Sequence, residues 1–316
     1  MTFHFISPVA VVAVITLTTL VTPSASWQIV EELCETTEIA TLLKEGHWCS
    51  ETVPRCQWQG ITCDAEDNFV GIELRNVPLN VPIPDKIDAP GKDCLSVKLV
   101  NCGLTGEVPP TMELTRLHTF DVSQNQLTGN LPWTWVSKLN HLNVAENQMA
   151  GAAELTEKTY TYMQHLILAG NGFYENLNKF SALSAPKMKT FDISSNKFVG
   201  RAPGFNKAVK YNISYNFFSD IEPAEILEER IFGERPLEVC DTAGNPFRLE
   251  PPNWMQKIYE RCRYNFDPSN EIYIEKDFEP TTTTTTTTTA EAVSSSNEKD
   301  GIDKTKENKP TSEQKN

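Results

Sequence analysis

The sequence predicts an α/β solenoid: a right-handed superhelix with a short-strand parallel sheet on its concave face, disulfide-capped ends and a disordered C-terminal tail. Three observations predict it. One apolar template recurs about every 24 residues through the middle of the chain. Cysteines gather at both ends of that stretch, and a threonine run with a polar, charged segment follows it.

The template reads Leu-x-x-Leu-x-Leu-x-x-Asn-x-Leu, often continued by x-Gly-x-apolar-Pro. It is clearest in LHTFDVSQNQLTGNLP, with Leu117, Phe120, Val122, Asn125, Leu127, Gly129, Leu131 and Pro132 at the key positions. Neighbouring rows repeat it through Val97, Leu99 and Cys102, then Leu142, Val144 and Asn147, then Leu166, Leu168 and Asn171. Later rows run through Phe191, Ile193 and Asn196, then Tyr211, Ile213 and Asn216, with weaker rows around Leu74 and Asn245. No single row can bury its apolar side alone, whereas stacked rows bury a continuous core. Each Leu-x-Leu piece is expected to be a short strand paired in parallel with the next. The inward Asn of each row is expected to satisfy the backbone of the bend that follows, because unpaired buried peptide groups are costly. The column Phe173, Phe198, Phe218 and Phe247 reads as stacked core rather than as an aromatic ligand cage.

The ends follow from composition. Residues 1–26 read as a secretory signal: an apolar run from Val9 to Val21, too short to span a bilayer, then small residues up to Ser26, after which cleavage is expected. Residues 27–69 form a cysteine-rich N-terminal cap, with an amphipathic helix carrying Ile39, Leu42 and Leu43. Residues 70–250 hold about eight repeats, and 251–280 a C-terminal cap with a short helix through Trp254, Ile258 and Tyr259. In 281–316, nine threonines and the polar segment after them cannot build a core and are expected to be disordered, the threonines serving as an O-glycosylated or bare stalk. Eight cysteines in a secreted chain point to disulfides; zinc spacing is missing. A net charge of −14 argues against nucleic acid as a partner, and no membrane span is expected in this chain.

The N-terminal segment Trp48, Cys49, Cys56, Trp58, Gly60, Ile61 and Cys63, with LTGEVP at Leu104 and LTGNLP at Leu127, resembles the plant-type extracellular leucine-rich-repeat family. The resemblance runs from about Leu33 to Cys262. It implies Cys34–Cys49 and Cys56–Cys63 disulfides and suggests Cys240–Cys262. Cys94 and Cys102 are left for each other, with a reduced buried Cys102 at the Asn position as the alternative. The threonine run is similar to the stalks of trypanosomatid leucine-rich-repeat surface antigens. After it comes no hydrophobic anchor signal, and there is no kinase domain.

Function is expected to be binding and not catalysis, because the chain shows none of the linear signatures of a nucleophile elbow, a zinc protease helix or a phosphate loop. No cofactor is expected. Repeat scaffolds offer an extended concave surface. The register assigns to it Asp121, Ser123, His141, Asn143, His165, Ile167, Asp192 and Ser194 among its outward positions. Small, hydroxylated residues dominate there, which suits an extracellular protein or carbohydrate. A structural coat or decoy antigen without a defined ligand is the second reading. His141 and His165 should be cross-strand neighbours about 5 Å apart. Asn212 opens an Asn-Ile-Ser N-glycosylation sequon on the same face.

Overall fold

Short rows fold as strands here because two inward apolar residues per row are enough once a neighbour lies on each side. The computed structural model describes residues 27–83, 94–109, 116–180, 183–205, 208–221 and 238–247, with the backbone of Cys262–Arg263. The expected signal (1–26), the C-terminal cap helix and the threonine stalk lie outside these residues.

The main sheet has ten strands. It opens with β1 (Ile61–Cys63), antiparallel to β2 (Phe69–Arg75). From β2 onward every neighbour is parallel: β3 (Ser96–Val100), β5 (Thr119–Asp121), β7 (His141–Asn143), β9 (His165–Ile167), β11 (Thr190–Asp192), β13 (Lys210–Asn212), β15 (Val239–Asp241) and β16 (Cys262–Arg263). The skipped numbers belong to a second set of parallel pairs, one strand further along each row. These are β4 (Thr105–Glu107) with β6 (Gln126–Thr128), β8 (Ala150–Ala152) with β10 (Gly172–Tyr174), and β12 (Val199–Ala202) with β14 (Phe217–Ile221). The return segments are mostly irregular, with one turn of helix at Trp133–Val136.

The core is the column between the sheets. Phe120, Leu142, Leu166, Phe191, Phe173, Phe198, Phe218 and Phe247 are all fully buried. Phe191 touches Phe205 at 4.7 Å between centroids and stacks on Tyr211 at 5.9 Å. Each such side chain contributes roughly 1.5–3 kcal/mol by leaving water.

The inward asparagines do what the bend requires. Asn125 Oδ1 accepts from the N–H groups of Cys102 and Leu104 at 3.0 and 2.9 Å, and its Nδ2 donates to the carbonyls of Leu99 and Val122 at 2.7 and 2.8 Å. Asn147, Asn171, Asn196, Asn216 and Asn245 repeat the pattern, each accepting from the backbone of the row before. Cys102 holds the Asn position in its own row. Its thiol lies 3.4 Å from the Val100 carbonyl and 3.6 Å from that of Leu74.

The N-terminal cap departs from a single amphipathic helix. It breaks into α1 (Gln28–Thr36) and α2 (Ile39–Leu42), because Thr37 Oγ1 donates to the Leu33 carbonyl and accepts from the Ile39 N–H. The buried face is Ile29, Val30, Leu33 and Ile39, whereas Leu42 is 40% exposed. Disulfides join Cys34 to Cys49 and Cys56 to Cys63. Trp48 and Trp58 pack 5.6 Å apart, each indole N–H bound to a backbone carbonyl. Gly60 has φ +82, and a Cβ there would fall 2.2 Å from the Glu73 carbonyl oxygen, so the motif glycine is obligatory.

Of the two readings of Cys94 and Cys102, the structure has the reduced one and no disulfide: both thiols are free and buried. The five residues of β3 stand between them. Five extended residues cover about 16 Å, and a disulfide tolerates Cα atoms no more than about 7 Å apart. Cys240 is half of a disulfide, and its register partner on β16 is Cys262.

Candidate recognition face

Three side chains of each row point to the concave face. In strand register the first positions run Ser96, Thr119, His141, His165, Thr190, Lys210. The second run Lys98, Asp121, Asn143, Ile167, Asp192, Asn212, Asp241. The third positions include Ser123, Ala145, Ala169, Ser194 and Ser214, two residues beyond the second.

Outward does not mean exposed. Asp121, Ser123 and Ser194 keep 7%, 6% and 7% of their surface, while His141, Asn143, His165, Ile167 and Asp192 are half-buried. The reason is a second ladder. Asp121 Oδ1 accepts from the Ser123 N–H at 3.1 Å and from its hydroxyl at 2.7 Å. Asp192 does the same for Ser194 and Asn212 for Ser214. Asn143 and Asp241 cap the N–H groups of Ala145 and Ala243, both at 3.1 Å. Side chains that bond their own backbone two residues on stabilise the turn out of the strand. Most of the expected binding residues are therefore framework.

The ladder is interrupted at β9, where Ile167 stands at the capping position and Ala169 follows. Beside Ile167 lie His141 and His165, paired in register with ring centroids 5.3 Å apart and planes inclined by 44°. His165 Nδ1 is 3.0 Å from Thr190 Oγ1. Burial pushes the pKa of His141 down, and His165 adds to the effect with Lys98 against the opposing pull of Asp121. Burial likewise lowers His165, helped by Lys189 and Lys210. Both shifts favour the neutral ring. β3 also lacks the cap, but there Lys98 is tied to Glu73 at 2.9 Å, as is Arg75 at 2.7 Å. Those two cations, Arg75 foremost, hold the Glu73 carboxyl below its usual range.

In the sequon, Asn212 is half-buried; its Oδ1 holds Ser214, and its Nδ2 lies 3.4 Å from Asp192 Oδ2. A separate open groove of about 690 Å³ lies in the N-terminal cap, lined by Glu31, Glu35, Glu51, Arg55, Trp58 and the Cys34–Cys49 bridge. Sequence reading missed both the groove and the capping ladder. The ladder's signal was present as Asp-x-Ser at Asp121 and Asp192 and Asn-x-Ser at Asn212, all at one repeat position.

Register, the asparagine ladder and the disulfide-pinned N-terminal end make the chain a leucine-rich-repeat solenoid. No protein-family model matches it. Solved structures similar to it include a pollen receptor kinase 3, at 20% identity over 61% of this chain and 89% of that one, TM-score 0.45. The ectodomain of the receptor kinase SOBIR1 from Arabidopsis thaliana shares 16% identity over 63% of this chain and 96% of that one, TM-score 0.40. A chain of the BIR3–SERK2 complex from the same plant shares 22% identity over 47% and 82%, TM-score 0.40. Among the described residues no helix is long and apolar enough to cross a membrane.

Proposed function

We propose that the chain is a secreted or cell-surface binding protein, delivered through residues 1–26, that recognises an extracellular protein or a glycan through its concave face. One observation carries this reading. The capping ladder, present at β5, β7, β11, β13 and β15, skips β9, where Ile167 stands beside two half-buried imidazoles. A row that gives up its cap loses about 0.5–1.5 kcal/mol, the net worth of one hydrogen bond, a cost that a surface used for contact offsets. His141, His165 and Ile167 are the contact residues in this reading. Asp121, Ser123, Asn143, Asp192 and Ser194 hold the surface that presents them.

Asn212 is the glycan acceptor in the same reading. Its cap uses Oδ1, so a sugar on Nδ2 leaves the Ser214 contact in place. The sugar would cover the C-terminal rows and direct a ligand toward β5–β9.

The test is a binding screen of the full chain against extracellular-protein and glycan arrays, repeated with Ile167→Glu. The expected result is a discrete set of hits that the substitution abolishes. An empty array favours the coat reading, and hits indifferent to Ile167→Glu place recognition elsewhere on the chain.

A further inference from the structure

Strand spacing sets the histidine pair at a separation that also suits a shared metal ion. An ion held tetrahedrally by two imidazole nitrogens at about 2.0–2.1 Å sets the ring centroids roughly 5.2 Å apart. The centroids of His141 and His165 are 5.3 Å apart. The strands supply this spacing before any ion binds, since the two residues face each other in register on β7 and β9.

Orientation adds a second, independent observation. β9 lies between β7 and β11 in the sheet, so Thr190 and His141 flank His165 on opposite sides. His165 Nδ1 lies 3.0 Å from Thr190 Oγ1; in the tautomer whose Nδ1–H donates to that hydroxyl, the lone pair is on Nε2. Metal-bound histidines are fixed in this way by a partner on the other nitrogen. Metal binding also needs the neutral ring; burial lowers the pKa of both rings, which favours that form. At His141 the Asp121 carboxylate opposes the effect of Lys98, whereas at His165 Lys189 and Lys210 add to that of burial.

We propose that His141 and His165 form a two-imidazole site for a divalent transition-metal ion such as Zn²⁺, Ni²⁺ or Cu²⁺ on the concave face. Among the described residues no cluster of three ligating side chains occurs, so two protein ligands leave the remaining positions of the ion to water. An oxygen or nitrogen of a bound partner can replace that water. The site stands on the geometry of the pair and does not require that the concave face be the ligand surface.

The experiment is calorimetric titration of the full, untagged chain with Zn²⁺, Ni²⁺ and Cu²⁺ at pH 7.5. The expected result is one saturable site, with Cu²⁺ bound more tightly than Ni²⁺ or Zn²⁺. His141→Gln and His165→Gln should each remove it, and Thr190→Val should weaken it about 10-fold or more. His47→Gln and His118→Gln should leave it unchanged. No saturable binding, or binding retained in the His141→Gln/His165→Gln double variant, overturns the proposal. Should a variant fail to fold, electron paramagnetic resonance of Cu²⁺ on the unsubstituted chain decides. Two imidazole nitrogens on the copper support the site, and one or none refutes it.

Discussion

Replacing Asn125 by alanine tests the asparagine ladder where it is most completely bonded. The side chain is 8% exposed and satisfies the N–H groups of Cys102 and Leu104, both residues fully buried. Its amide also donates to the carbonyls of Leu99, Val122 and Ser123. Alanine leaves two backbone donors without a partner in a site that water does not reach. At about 1–3 kcal/mol for each of the two buried unsatisfied groups, the loss is roughly 2–6 kcal/mol. A loss of that size lowers the thermal midpoint by about 10 °C for a fold of this size. Urea unfolding followed by circular dichroism reads the loss, and calorimetry gives the midpoint. Asn125→Asp sharpens the test, because it keeps the acceptor and turns the donor into a second acceptor facing three carbonyls. Its deficit should exceed that of alanine at pH 7 and shrink toward pH 4, as the carboxyl regains the proton it can donate. An Asn125→Ala variant within about 1 kcal/mol of the parent chain would refute the claim that the amide is structural.

Cys102 fills the same position with a weaker donor, so Cys102→Asn is expected to raise the thermal midpoint while Cys102→Ala lowers it; calorimetry of both decides. The neutral histidine pair makes stability depend on pH. Burial holds the folded pKa of both rings below that of an ordinary imidazole, so the unfolded chain binds more protons and stability falls as pH drops below about 6.5. His141→Gln should flatten the profile of the midpoint between pH 7.5 and 5, and an unchanged slope would count against the pair. Replacing Cys34 and Cys49 together by serine should cost about 2–5 kcal/mol and fray the N-terminal cap first, read as faster amide exchange in α1 than in β7.

Most of the fold was legible because the repeat makes each residue's role recur. Eight positions per row specify inward strand residues, the asparagine and the second-sheet apolar residue, and one clear row such as Leu117–Pro132 teaches the others. The cap helix was misjudged at Thr37, whose hydroxyl competes for the backbone in a way that periodicity does not register. The choice between paired and reduced Cys94 and Cys102 was left open although the sequence held the answer: a strand between two cysteines keeps them apart. The candidate site was legible only as a face. Which outward residues also cap the turn depends on hydrogen bonds two residues on, such as those of Asp121 with Ser123 and of Asp192 with Ser194, and periodicity does not register them.

The central claim is that contact runs through the patch around Ile167. Hydroxyl-radical footprinting of the full chain, alone and saturated with a partner recovered from the arrays, reads side-chain access directly. The account predicts lowered oxidation at His141, His165 and Ile167, with Tyr162 and Leu183, which are 57% and 81% exposed on the return segments, oxidised as in the free chain. Protection of Tyr162 and Leu183 with the histidines unchanged would contradict it.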